Sequence, residues 1–534
     1  MSYRHHLHGF LLAGCAALVA VNCAHQAEKQ TLKISAAQRD FDSRDGEHEG
    51  PGEEERAREE ERKKKWSGLS YAAQTYVQLT PLVSLATTGF DSERVWGGGD
   101  DWEPAVAADP GAPYVYQMTT RYGGTQVEVI FRRSLDGGAT WEADQVFASN
   151  AGDPMIEVAD DGTVYAMAIV GGGYKLKMAR SFDHGVTWTA LEDILGPGQP
   201  NWGDRPVLVI SPDGQDVYVG FNQGDSYVVS SHDGAVNFGT PVQTSNNGRS
   251  WFHSAGAVAP NGDIYFAAAD YGAGYLGSTP INVLRSTDGG VNWTTTVLDT
   301  SLEAAPCDYA DGCYFGFLGP EVGLAIDVDG LVMVSYNAGD AVNQPQKLWV
   351  RTSSDGVVWS SRTEISSGIA GVNNAFPAMV ASRTVAGDFR VVWQDDREDS
   401  EVAWNTWMVN TLDGGTSWSE SELLSDRDAG APYKGPLGYS FVYGDYYEIA
   451  IDGDDVNHII WGAGASYTGP GGSWYTRGTP VPEPTAAQQL VAGAMLLAAL
   501  ARQRVRHRLP NHKTPVTQPS GDSASKPRFS CRFG

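Results

Sequence analysis

Seven places along this 534-residue chain put a polar or charged side chain directly ahead of a short β-forming run. They carry Glu103, Asp153, Asp204 with Arg205, His253, Glu321, Asn374, and Asp445 with Tyr446. Carboxylates in pairs, with a tyrosine hydroxyl and a guanidinium close by, are the groups that cleave a glycosidic bond or hold sugar hydroxyls. Arg205 is the one cation in the set, and its planar fork suits a carboxylate or a hydroxyl-rich ligand. Arg397, in Trp393-Gln-Asp-Asp-Arg397, and Arg121 follow second strands and are the further arginines placed to reach the same region. Taken singly, each residue has a plainer role as the cap of a strand start. No cofactor is implied. Asp308 and Asp311 lie between Cys307 and Cys313 but have no further ligand pattern, so no metal site is expected.

These groups act together only if the chain brings the run-starts to one place, and a repeated motif says that it does. Six copies occur: Ser134-Leu-Asp136-Gly-Gly-Ala-Thr-Trp141, Ser181-Phe-Asp183-His-Gly-Val-Thr-Trp188, Ser231-His-Asp233-Gly-Ala-Val-Asn-Phe238, Ser286-Thr-Asp288-Gly-Gly-Val-Asn-Trp293, Ser353-Ser-Asp355-Gly-Val-Val-Trp359 and Thr411-Leu-Asp413-Gly-Gly-Thr-Ser-Trp418. Successive aspartates stand between 47 residues (Asp136 to Asp183) and 67 residues (Asp288 to Asp355) apart. A unit of that size cannot bury its own core, so it stacks on its neighbours. The aspartate is expected to accept from backbone N–H groups two residues on, the glycine to supply positive φ, and the aromatic to pack against the next unit. The motif is then a clasp, and the third copy (Ala235, Phe238) and the shorter fifth show the drift a clasp tolerates.

Around each clasp, short β-rich runs and Asp-Gly turns read as a four-stranded unit with no helical period. A seventh unit, Tyr447–Ile451 and Val456–Trp461, has Gly471-Gly-Ser-Trp474 in the place of the clasp. The clasps resemble the Asp box of BNR-repeat, sialidase-like β-propellers over residues 95–477. The resemblance implies an all-β, seven-bladed propeller of four-stranded antiparallel blades; six blades is the alternative if the last unit only completes the first. It also implies that the run-starts ring one mouth of a central funnel. Sialidase activity in that family needs an arginine triad, a Tyr–Glu nucleophile pair, an Asp acid and a Phe/Tyr-Arg-Ile-Pro motif. The nearest string here, Phe131-Arg132-Arg133, runs into a clasp and belongs on an outer strand. The expected role is recognition of a glycan or matrix polymer. A sialidase-like glycoside hydrolase, or a structural or protein-interaction module of the extracellular matrix, are the alternatives.

The ends read as targeting signals. Arg4 and three histidines precede an apolar run (9–21), giving a signal peptide over 1–24, with Cys15 and Cys23 as candidate lipidation sites. Residues 25–94 form a spacer, charge-dense over 28–65, that cannot bury a core. At the other end Pro482-Glu483-Pro484, an apolar stretch (486–501) and arginines 502–508 fill the segment 478–508 and resemble a PEP-CTERM sorting signal; a polar tail (509–534) follows. That resemblance implies signal peptidase and exosortase-like processing, transient membrane insertion, and a place on the surface or in the matrix of a Gram-negative bacterium. Cys307 and Cys313 are expected to form a local disulfide, as suits an oxidising compartment. The net charge of −27 argues against a nucleic-acid partner.

Overall fold

The computed structural model describes residues 89–96, 100–171, 175–200, 206–272, 277–303, 320–397, 404–425, 434–435, 438–439, 447–464 and 471–480. All lie within the unit Met1–Pro480; the second unit, Val481–Gly534, is outside the described residues, and with it Pro482, Glu483 and Pro484. Asp204, Arg205, Asp445, Tyr446, Cys307 and Cys313 also lie outside them.

Seven four-stranded antiparallel sheets follow one another along the chain. Blade 1 consists of Asp101–Ala108, Val115–Arg121, Glu128–Ser134 and Gln145–Ser149, paired in that order. The innermost strands of blades 2 to 7 are Ala151–Val158, Val207–Ile210, Ser250–Val258, Val322–Ile326, Asn374–Ala381 and Tyr447–Ile451. Blades pack face to face, so both faces of a second strand are covered. Val164–Val170 is accordingly an almost unbroken apolar run, buried along six of its seven residues. Outermost strands, such as Gln145–Ser149, are largely exposed. The protein is a seven-bladed β-propeller.

Blade 7 closes the ring with the two ends of the described chain. Its order is Tyr447–Ile451, Asn457–Gly464, Gly471–Gly478 and, outermost, the N-terminal strand Arg94–Trp96. Gly471-Gly-Ser-Trp474 is therefore the start of a third strand and not a clasp, because the fourth strand arrives from the other end of the sequence. Phe90 is buried and bridges Gly478, so the propeller draws on residues ahead of position 95.

The clasps are built around two side chains each. In the first, Ser134 Oγ accepts from the Gly138 N–H at 2.8 Å and donates to Asp136 Oδ1 at 2.9 Å. Asp136 Oδ1 accepts from the Thr140 N–H at 2.7 Å and Oδ2 from the Thr140 hydroxyl at 2.7 Å. The carboxylate thus reaches four residues on, not two; the shortened fifth box instead bonds at two and three, through the N–H groups of Val357 and Val358, and the third box adds Val236 at three. The gathered donors hold Asp183, Asp233 and Asp413 down to about 2, with the side chain at the fourth position the largest cause.

Each clasp locks onto the preceding blade. A Cβ on Gly138, at φ +85°, would collide with the Tyr475 hydroxyl of blade 7, so glycine alone lets the turn sit there. In the third box Ala235 takes that position at φ +60°. Trp141 meets Tyr475 edge-on at 5.1 Å, and Trp188 meets Phe131 of blade 1 at 5.2 Å. Blade 7 has no clasp to lay on blade 6. There Arg390 makes the joint, donating to the Asn457 side chain at 2.9 Å and the Asp455 carboxylate at 2.6 Å.

Candidate functional site

Antiparallel order fixes which end of the ring each group occupies. Every innermost strand runs away from the mouth, so strand starts lie at the mouth and the clasps, which link third to fourth strands, lie at the opposite end. At that far end Arg383 of blade 6 reaches Asp160 of blade 2 at 3.3 Å. These blades are not neighbours, so the pair spans the channel.

At the mouth, four innermost strands carry a β-bulge at the same level: Trp102/Ala105, Gly152/Met155, His253/Ala255 and Ala375/Ala378. In three of them the bulged residue has a left-handed backbone and precedes proline: Glu103 (φ +52°), Asp153 (φ +49°) and Phe376 (φ +55°). That conformation costs a non-glycine residue about 1–3 kcal/mol and persists where surrounding structure enforces it. Here a bulge re-aims the side chain of an innermost strand, whose inner edge has no strand partner. The result brings Glu103 and Asp153, in adjacent blades, together: Glu103 Oε2 accepts from the Asp153 N–H at 3.4 Å. That N–H also reaches Thr120 Oγ1 at 3.1 Å, and the Tyr122 hydroxyl donates to Glu103 Oε1 at 3.2 Å. Tyr122 is buried beside Trp102, with ring centroids 5.0 Å apart, so it orients Glu103 from within the wall.

The other expected site residues divide. Glu321 sits at its strand start, buried, with its N–H on Asn337 Oδ1 at 2.7 Å and Ser254 Oγ at 3.4 Å from its carboxylate. Asn374 is buried and its amide caps the Gln346 carbonyl at 2.9 Å, a joint between blades 5 and 6. His253 is fully buried, its Nε2 3.0 Å from Ser226 Oγ and its ring edge-on to Phe266; it is a wall residue and not a group on the funnel surface. Arg397 does not turn toward the funnel. Its guanidinium lies over Trp407 at 3.8 Å, pairs with Asp395 at 2.6 Å and donates to Ser421 near the outer edge of blade 6. Arg121 is held by Asp101 at 2.7 Å and Asp144 at 2.6 Å. Arg132 is fully buried on a third strand. The described residues therefore assemble no arginine triad.

Three participants are not among the expected site residues: Tyr122, Thr120 and Glu448. Glu448 reaches from blade 7 to accept from the Val106 N–H of blade 1 at 2.6 Å, covering an open inner edge. The first two carry no motif, since they come from the end of a second strand. Xaa-Pro at a strand start (Glu103-Pro104, Asp153-Pro154, Phe376-Pro377) marks three of the four bulges, and the fourth, at His253/Ala255, has no proline.

Burial alone pushes His253 down to about 3 from an ordinary 6.5, so the ring is neutral in the folded protein. The unfolded chain takes up a proton there as pH falls through 6.5 and the folded one does not, so this contribution to stability is lost between about 6.5 and 3. Burial pushes the Glu157 carboxyl up to about 7 from 4.5, which acts in the opposite direction above 4.5. Thermal melts of wild type and His253→Gln compared at pH 7 and pH 4 separate the two. The variant should lose less on acidification; equal losses would show that His253 is not held neutral.

No protein-family model matches the chain. Among curated proteins it is similar to a xyloglucanase from Paenibacillus sp., at 28% identity over 269 residues, which is 45% of this chain and 23% of the xyloglucanase. The chain thus spans about a quarter of that relative's length. Among solved structures it is similar to a Hadza microbial sialidase (15% identity, 71% of this chain and 65% of that one, TM-score 0.37). It is also similar to an ulvan lyase (13%, 72% and 96%, TM-score 0.42) and to the Trypanosoma rangeli sialidase (14%, 78% and 59%, TM-score 0.35). These neighbours are sialidases and related propeller proteins. The likeness carries no substrate to this chain.

Proposed function

We propose that this is an exported, surface-sorted propeller whose mouth recognises a neutral, hydroxyl-rich glycan. The observation that carries the reading is the Glu103 carboxylate, which accepts from the backbone N–H of Asp153 in the adjacent blade, both residues being set on strained, bulged backbone and braced from behind by Tyr122 and Thr120. Carboxylates accept hydrogen bonds from sugar hydroxyls and repel acidic sugars. The cations described at the same end are already matched: Arg121 by Asp101 and Asp144, Arg249 by Asp270, Lys347 by Asp340 and Glu364, and Arg397 by Asp395. That pairing supports a neutral ligand over a sialylated or uronic one. Export and surface sorting rest on the terminal sequences alone.

The test is a glycan array carrying neutral, sialylated and uronic-acid polysaccharides, with a panel of chromogenic glycosides beside it. Binding should favour neutral polymers, and Glu103→Gln with Asp153→Asn should weaken it by about tenfold or more, as loss of a charged hydrogen bond does. The paired substitution keeps both shapes, and asparagine accepts left-handed backbone, so the melting temperature should hold. Exclusive binding of acidic glycans would defeat the reading and point to Arg205, whose Arg205→Ala change should then abolish it. Turnover of a glycoside would favour a hydrolase, a reading the partial xyloglucanase likeness supports.

A further inference from the structure

The end of the ring opposite the mouth carries a recurring set of exposed apolar side chains, set among the clasp aspartates. Fifteen large hydrophobic side chains are exposed among the described residues, and eight of them sit on clasps. Every clasp contributes: Leu135, Phe182, Val236, Val291, Val358 and Leu412, one from each, are between 48% and 71% exposed. Val328 and Val385 stand on first-to-second-strand turns, which lie at that same end. The clasp's mechanics do not require this. The serine, aspartate, glycine and aromatic positions make its bonds and packing, whereas the apolar residues occupy the positions between them, where any polar side chain would serve.

Both ends of the described chain also lie on this face. Gly471–Gly478 runs toward the clasp end, like every third strand, and the Thr479 N–H bonds the Gly89 carbonyl at 3.1 Å. The chain enters at Gly89 and leaves at Pro480, side by side. Six residues later the sequence begins its apolar stretch, 486–501, which is at the lower limit of length for spanning a bilayer. Six residues extend at most about 20 Å.

From these observations we infer that the clasp face docks on a phospholipid bilayer, with the mouth directed away from it. A ring of single apolar side chains is a weak anchor alone, but a short tether raises its effective concentration at the surface. The net charge of −27 repels anionic headgroups, so the surface it fits is zwitterionic. Asp136, Asp183, Asp233, Asp288, Asp355 and Asp413 do not oppose docking. Each accepts from its own clasp donors yet stays wholly or partly exposed and ionised. Docking therefore leaves these carboxylates at the level of the zwitterionic headgroups, and only the apolar side chains beside them reach deeper. This inference stands apart from the glycan reading and survives its failure.

The experiment reconstitutes the full chain with phosphatidylcholine vesicles that contain a phospholipid bearing a photoactivatable group on its acyl chain. After irradiation, peptides are mapped by mass spectrometry. Adducts are expected on peptides holding Phe182, Val291 and Leu412 as well as on 486–501, and not on those holding Glu103 and Asp153. The triple variant Phe182→Asp, Val291→Asp, Leu412→Asp should lose the clasp adducts, keep those on 486–501 and melt at the wild-type temperature. Adducts confined to 486–501 in the wild type, or equal on clasp and mouth peptides, would overturn the inference. So would a dimer that shields the clasp face from lipid.

Discussion

Asp101→Ala should lower the free energy of unfolding by about 3–5 kcal/mol, the cost of breaking a buried ion pair by removing one partner. Asp101 is fully buried and accepts from Arg121 Nε at 2.7 Å and from Arg132 Nη2 at 2.6 Å. Arg132 is itself fully buried. It bonds Gln117 at 2.7 Å and Asp144 at 2.7 Å, with Trp96 5.0 Å from its guanidinium. Without Asp101, two guanidiniums share the half-exposed Asp144, and one of them has no route to water. Arg132→Met should cost less, because Asp101 keeps Arg121 and the methionine fills apolar space. Urea unfolding of both variants decides it. If Asp101→Ala proves no worse than Arg132→Met, the network is not what holds blade 1 at its mouth end.

Trp141→Ala should cost about 2–4 kcal/mol, somewhat below the range for a wholly buried tryptophan because one flank is open to solvent. Its ring is edge-on to Tyr475 and to Trp96, each at 5.1 Å, and its Nε1 donates to the Gly138 carbonyl at 3.1 Å. Those partners belong to the third strand and the N-terminal closing strand of blade 7, so this one side chain packs the seam where the ring shuts. Trp293 meets Phe266 of its own blade at 5.7 Å and packs with it beside Val207, Val209 and Tyr218, in an ordinary joint between blades 3 and 4. Calorimetry should therefore rank Trp141→Ala as the more destabilising, with glycan binding by the surviving folded protein unchanged. The reverse order would mean that the closing strand is held by its backbone pairing with Gly471–Gly478 alone.

The clasp repeat made the architecture legible because each copy satisfies itself. Its serine, aspartate and backbone donors all lie within a few residues, so the pattern survives as a contiguous string. The seventh blade was legible only as two strands. Its fourth strand, Arg94–Trp96, comes from nearly four hundred residues earlier, and no local signal ties it to Gly471–Gly478. Arg390, which replaces the missing clasp between blades 6 and 7, carries no motif for the same reason.

The described run-starts, Glu103, Asp153, His253, Glu321 and Asn374, stand at one end, since strand direction follows from the order of turns. What each one does there was decided by tertiary packing. Glu103 and Asp153 are brought together by bulges, whereas His253 and Asn374 are drawn into walls between blades. Arg397 folds back on Asp395 and Trp407. Local sequence determines which residues begin a strand and which close a clasp, because those depend on turns and near neighbours. Which side chain faces the channel, which is buried and which charge is already answered depend on contacts from adjacent blades about fifty residues away, and only the closed ring supplies them.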